Sequence, residues 1–275
     1  MQCAWKELLG ILPHWIRADV DREGKDRLQE LRLRINAPPE LVFPGKRQWL
    51  SGNMTQEDLN FVINTATRYS PWTAATAAQG YITAPGGHRI GLCGDTICKE
   101  GIVTGLRTVR SLCIRIARDI PGIGKAAAAL GGSILILGAP GTGKTTLLRD
   151  LIRQMAETRH VAVVDERCEL FPDGFSQGLY QDTLTGCSKA HGIEMLLRTM
   201  SPEVIAVDEV TAEEDSLALV QAAHCGVFLA ATAHAGTLED FAARRIYRPL
   251  RDTNIFQTVL VLGKNQKFTV ERMRA

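Results

Sequence analysis

The sequence predicts an α/β protein in two parts, a smaller α+β domain over residues 1–122 and a larger domain over 123–275 built on a parallel sheet. Three observations lead there. A length of 275 residues suits two domains at roughly 100–200 residues each. Before the Pro121-Gly122-Ile123-Gly124 linker, strand-like and helix-like segments follow one another without alternating. After it, near-continuous apolar runs alternate with helical stretches, as strands covered on both faces require.

In chain order, Trp5, Leu8, Leu9, Leu12, Trp15 and Ile16 recur at helical spacing over residues 4–16 and form one apolar stripe, read as core packing. Leu31, Leu33 and Ile35 alternate with Arg32 and Arg34, the period-two pattern of a half-buried strand with its arginines on the open face, ended by Pro38-Pro39. Thr55 with Asp58 reads as a capping box, and Leu59, Val62, Ile63 and Ala66 as the buried face of the helix it opens. Tyr81 to Thr83, His88 to Leu92 and Leu112 to Ala117 read as short strands, with Pro85-Gly86-Gly87 as a turn. Ala126 to Ala129 reads as a short helical turn. The strands of the larger domain are expected at Ser133–Leu137, Val161–Val164, Val204–Val207, Val227–Thr232 and Thr258–Leu262.

Composition excludes several classes. Lys and Arg number 32 against 30 Asp and Glu, a net charge of +2, far from the excess of a dedicated nucleic-acid binder. The seven cysteines, Cys3, Cys93, Cys98, Cys113, Cys168, Cys187 and Cys225, show no two-residue gap of a zinc or redox pair and read as reduced cytosolic thiols. No apolar run approaches the ~20 residues of a membrane span, and no signal-peptide layout opens the chain, so a cytoplasmic location is expected.

The string Gly138, Ala139, Pro140, Gly141, Thr142, Gly143, Lys144, Thr145 matches G-x-x-x-x-G-K-T, follows an apolar strand and opens a helical run from Thr146 to Met155. The glycines let successive amides point at phosphate oxygens, and the helix N-terminus adds about half a positive charge. Residues 138–146 are therefore expected to bind ATP, with Lys144 on the β and γ phosphates and Thr145 on Mg²⁺. The run Val204–Val207 ends in Asp208, read as the second Mg²⁺ ligand, and Glu209, read as the general base. Val161–Val164 ends in Asp165-Glu166-Arg167. Neighbouring strand residues face opposite ways, so one of Asp165 and Glu166 is expected to reach the nucleotide. His234, just past Val227–Thr232, either senses the γ-phosphate and the catalytic water or serves structurally. The chain has no Asn-Lys-x-Asp string to read guanine and no arginine-rich lid of a small-molecule kinase.

A phosphate loop followed by two acidic strand ends and a histidine strand end resembles the motor ATPases of type II and type IV secretion and pilus assembly. The strings Gly80-Tyr-Ile-Thr83, Gly87-His-Arg-Ile-Gly91, Ile114-Arg-Ile-Ala-Arg118, Gly143-Lys-Thr-Thr-Leu-Leu-Arg-Asp150, Val164-Asp-Glu-Arg167 and Met200-Ser-Pro202 resemble, more closely, the stage III sporulation protein AA family. This resemblance spans residues 30–246 and implies a RecA-like P-loop ATPase. It implies a mother-cell cytoplasmic protein docked at a membrane complex, a ring, hexameric in form, and channel proteins of the sporulation complex as partners. Asp208 stands where the secretion motors carry glycine, and Asp165-Glu166 where they carry Glu-Asp, so the base stays open among Glu209, Glu166 and Asp165. Such rings borrow an arginine from the neighbouring subunit. Arg107, Arg110, Arg115 and Arg118 are the candidates, and Arg115 is chosen. The competing reading is a recombinase-like ATPase driven by nucleic acid, and a third is a nucleotide-gated scaffold without turnover.

Overall fold

The computed structural model describes residues 4–25, 27–68, 80–172, 175–263 and 267–273. Cys3 lies outside them. The chain divides into two compact units, Met1–Asp119 with Pro172–Phe175, and Ile120–Phe171 with Ser176–Ala275.

In the first unit, helices α1 (Trp5–Ile11), α2 (His14–Gly24) and α3 (Gln56–Ala66) accompany strands β1 (Glu30–Arg34), β2 (Glu40–Phe43), β3 (Lys46–Trp49), β4 (Tyr81–Thr83), β5 (Arg89–Lys99) and β6 (Ile102–Arg115). The sheet order is β3-β2-β1-β6-β5-β4, and every pair is antiparallel. Leu8, Leu12, Ile16, Leu31, Leu33, Leu59, Val62, Ile82, Ile90, Leu112 and Ile114 share one core. The single stripe expected over residues 4–16 is two helices, because Pro13, extended at ψ 141°, lacks the amide to continue the first. The stripe still packs on the core, except Trp15, which is 42% exposed and donates from Nε1 to Asp58. The Thr55 and Asp58 capping box is present, each side chain accepting from the other's backbone amide.

The largest difference from the sequence reading in this unit is the β5–β6 hairpin, whose strands run far beyond the two short segments expected. Glu100 and Gly101, at φ 51° and 80°, make the turn, since the type I′ turn of a two-residue hairpin loop needs positive φ at both central residues. Three register shifts, the first at Cys93/Gly94, break the alternation that would have revealed the strands. Strand β2, only four residues long, and strand β3, where Lys46, Arg47 and Gln48 leave little apolar pattern, were not expected.

The second unit holds strands β7 (Ile134–Leu137), β8 (Val161–Asp165), β9 (Gln181–Thr185), β10 (Val204–Val207), β11 (Phe228–Ala233), β12 (Thr258–Leu262) and β13 (Phe268–Glu271), in the order β13-β12-β7-β11-β10-β8-β9. All pairs are parallel except β12–β13. Leu135, Leu137, Ala162, Val164, Ile205, Val207, Leu229 and Ala231 pack on one face. Ile134, Ile136, Val161, Val163, Val204, Ala206 and Ala230 pack on the other. Each strand alternates between two buried faces, which is why its sequence reads as an unbroken apolar run. The edge strands β9 and β13 lack such runs and were not expected. Helices α4 (Lys125–Ala128), α5 (Lys144–Met155), α6 (Lys189–Thr199), α7 (Glu213–His224), α8 (Leu238–Ala243) and α9 (Arg248–Thr253) complete the unit.

Candidate active site

Strand register brings the motifs together. Leu137 pairs with Ala233, Ala231 with Val207, and Val207 with Val164. Gly138 and His234 therefore leave the sheet side by side, and so do Thr232, Asp208 and Asp165. Strand β11 separates the phosphate-loop strand β7 from the acidic strand β10, so the path from Lys144 to Glu209 runs through His234 at the β11 end, while Thr145 in the first turn of α5 reaches Asp208 directly.

The phosphate loop curls with Gly141 at φ 77° and Gly143 at φ 98°, conformations open to glycine but costly for other residues. Thr142 donates to the Ala139 carbonyl at 2.8 Å and braces the curl. Lys144 is buried, and its Nζ donates to the carbonyls of Gly138 at 2.9 Å and Ala139 at 3.1 Å and to Nδ1 of His234 at 3.0 Å. Burial pushes the ammonium below the usual lysine range, while Asp208 and Glu209 pull it back up. Thr146 follows in the first turn of α5.

Thr145 donates from its hydroxyl to Asp208 Oδ2 at 2.7 Å, and Thr232 donates to Asp208 Oδ1 at 2.6 Å. The Thr232 hydroxyl also accepts from the Glu209 amide at 2.7 Å, so one buried side chain orients both acids. A hydroxyl and a carboxylate in contact are the hard oxygen donors that Mg²⁺ takes alongside phosphate oxygens and water, so Thr145 and Asp208 suit that ion.

Both carboxylate oxygens of Glu209 are engaged. Because Lys144 donates to His234 Nδ1, the ring carries its proton on Nε2 and donates it to Glu209 Oε1 at 3.0 Å. Arg167 donates to Glu209 Oε2 at 3.2 Å. Glu209 sits at φ 54°, a left-handed backbone unusual for glutamate.

The two acids at the end of β8 diverge. Asp165, 3% exposed, accepts from the amides of Glu169, Leu170 and Phe171 at 2.9 to 3.2 Å and so closes its own loop. Burial lifts its carboxyl above the usual range against those three hydrogen bonds. Glu166 faces the other way and accepts from Lys189. Arg115 belongs to the first unit, where its exposed guanidinium lies 3.9 Å from Glu30. The geometry thus gathers Lys144, Thr145, Asp208, Glu209 and His234 and ties Asp165 into a loop. It adds Thr232, Arg167 and Lys189, which the sequence reading had not singled out. Thr232 stands in the sequence as a lone hydroxyl inside an apolar strand, and Arg167 as the last residue of the Asp165-Glu166-Arg167 strand end.

The family model for sporulation stage III, protein AA matches residues 5–272. The chain belongs to that family. It is 35% identical to stage III sporulation protein AA of Bacillus subtilis strain 168, across 94% of this chain and 91% of that protein. Among solved structures it resembles the pilus retraction motor PilT with bound ADP, with a TM-score of 0.62 and 17% identity over 89% of this chain and 76% of the other. It also resembles the ATPase DotB of Yersinia pseudotuberculosis, with a TM-score of 0.63 and 15% identity over 94% and 79%. The fold of this family member is therefore RecA-like, with a P-loop. Among the described residues no helix is long and apolar enough to cross a membrane.

Proposed function

We propose that this protein binds ATP with Mg²⁺ and hydrolyses it to ADP and phosphate, as the motor of a membrane-docked sporulation complex. The observation that carries the proposal is the bonded path from the phosphate loop to the acids: Thr145 to Asp208, and Lys144 through His234 to Glu209. Residues 138–146 would cradle the triphosphate, with Lys144 exchanging its two carbonyl partners for phosphate oxygens. Thr145 and Asp208 would hold Mg²⁺, which draws charge from the phosphate oxygens. Glu209 would take the proton of the attacking water, and His234 would hold that carboxylate in register with Lys144.

The test is phosphate release alongside binding of a fluorescent ATP analogue. Lys144→Ala is expected to lose binding. Glu209→Gln is expected to bind as the parent does and to lose turnover by roughly 100-fold or more, within the range of general-base catalysis. Normal turnover in Glu209→Gln overturns the assignment of the base.

The proposal includes a ring, hexameric in form and docked from the cytoplasm on channel proteins of the sporulation complex, a reading supported by family membership and by similar solved structures named for a retraction motor and an ATPase. Arg115 is the arginine proposed to reach the neighbouring subunit's nucleotide. Sedimentation with and without ATP tests the ring, and a monomer under every condition overturns it. Turnover that rises with single-stranded DNA would favour the recombinase-like alternative, which the near-neutral charge of +2 weighs against.

A further inference from the structure

Lys189 belongs to no motif, yet its side chain is only 4% exposed, and a buried ammonium needs opposite charge around it. Two carboxylates supply that charge from different loops. Glu166, just past β8, accepts a hydrogen bond from the lysine. Asp215, in the first turn of α7, brings its Oδ2 within 3.8 Å. The same Asp215 oxygen accepts from the amides of Thr211 and Ala212 at 3.1 Å each, so it secures the loop that leaves Glu209. Lys189 thus ties the end of β8 to the loop after β10.

Between those two segments lies a cavity of about 20 Å³, walled by Glu166, Arg167, Lys189, Asp208 and Glu209. A water molecule needs roughly 10–15 Å³ and two to four polar partners, and this wall offers both. The left-handed backbone of Glu209 adds a second requirement, since a strained residue keeps its conformation only when its surroundings hold it there.

Resting on the hydrolase reading above, we propose that Lys189 is a positioning residue for the reaction. It draws Glu166 and Asp215 together and so holds the Glu209 loop and the β8 loop on opposite walls of a chamber that orders one water beside the Glu209 carboxylate. Without the ammonium, the Glu166 and Asp215 carboxylates are left beside each other with no cation between them, and their repulsion pushes the two loops apart.

The full-length protein tests this through Lys189→Met, Lys189→Arg and Glu166→Gln, with kcat, KM and the affinity for a fluorescent ADP analogue measured together. Lys189→Met is expected to lower kcat by roughly 10-fold to 100-fold, the range for removing a group that orients reactive residues, while ADP affinity changes less than twofold. Lys189→Arg is expected to recover part of kcat, and Glu166→Gln, which leaves Asp215 paired, to lose less than Lys189→Met. Amide exchange is the independent arm: Lys189→Met should speed exchange in residues 165–170 and 208–212 and leave α5 unchanged. Unaltered kcat in Lys189→Met and Glu166→Gln overturns the proposal. So does an ADP affinity that falls in step with kcat, which marks a merely structural loss. If Lys189→Met does not fold, Glu166→Gln decides by the same measures. A parent protein that binds nucleotide without turnover overturns the hydrolase reading instead. Exchange then decides the clamp, and equal rates in the two segments overturn it.

Discussion

Replacing Thr232 by valine removes one hydroxyl and keeps the shape of a fully buried strand residue. That hydroxyl donates to Asp208 Oδ1 at 2.6 Å and accepts from the Glu209 amide at 2.7 Å. A hydrogen bond to a charged group contributes about 1.5–3 kcal/mol and a neutral one about 0.5–1.5 kcal/mol, so the variant is expected to lose about 2–4.5 kcal/mol from the second unit. At about 2–4 °C per kcal/mol for a domain of this size, its melting point should fall by about 4–18 °C. The effect on turnover should be larger than stability alone explains, because Asp208 keeps only Thr145 and the left-handed Glu209 loses its amide anchor. Urea unfolding monitored by circular dichroism, with phosphate release measured well below the transition, separates the two effects. A Thr232→Val protein within 0.5 kcal/mol of the parent and equally active would refute the claim that this hydroxyl orients the acid pair.

Two further substitutions probe the cores of the argument. Asp165→Ala should destabilise the second unit by about 2 kcal/mol or more, since it strands the buried amides of Leu170 and Phe171 and the half-buried amide of Glu169. Turnover per folded molecule should fall far less than in Glu209→Gln, and an equal fall would return Asp165 to the reaction. His88 in the first unit is buried, donates from Nε2 to the Ala4 carbonyl at 2.9 Å and accepts the Ala117 amide at Nδ1. Burial pushes its pKa below the ordinary 6.5. The unfolded chain therefore binds a proton that the folded one declines, so stability is full above pH 6.5 and is lost as the pH falls below it. Melting curves of His88→Gln should show a smaller acid-side drop than the parent, and parallel curves would remove His88 from the linkage.

The phosphate loop was legible because its pattern is local: glycines, lysine and threonine fall within eight consecutive residues, Gly138 to Thr145, between a strand and a helix. The strands β7, β8, β10, β11 and β12 were legible because burial on both faces writes itself as an apolar run. The edge strands β9 and β13 and the bulged β5–β6 hairpin were not, since a short strand with no fully buried face carries neither an apolar run nor clean alternation, and a broken register erases the period. Among the acids, the sequence could say that one of Asp165 and Glu166 faces the site, because neighbours on a strand point apart. Only the tertiary structure showed Asp165 bound by the amides of residues 169–171 and Glu166 bound by Lys189.

Residue types and local spacing thus determined which groups this chain offers: a glycine-rich loop with a lysine and a threonine, and carboxylates at strand ends. The order β7-β11-β10-β8 decided which side chains meet, because it seats β11 between the phosphate loop and the acids, so that His234 links Lys144 to Glu209 and Thr232 holds the two acids. Hydrogen bonds act over about 3 Å, and residues 90 positions apart, such as Lys144 and His234, come within that distance only once the sheet has formed.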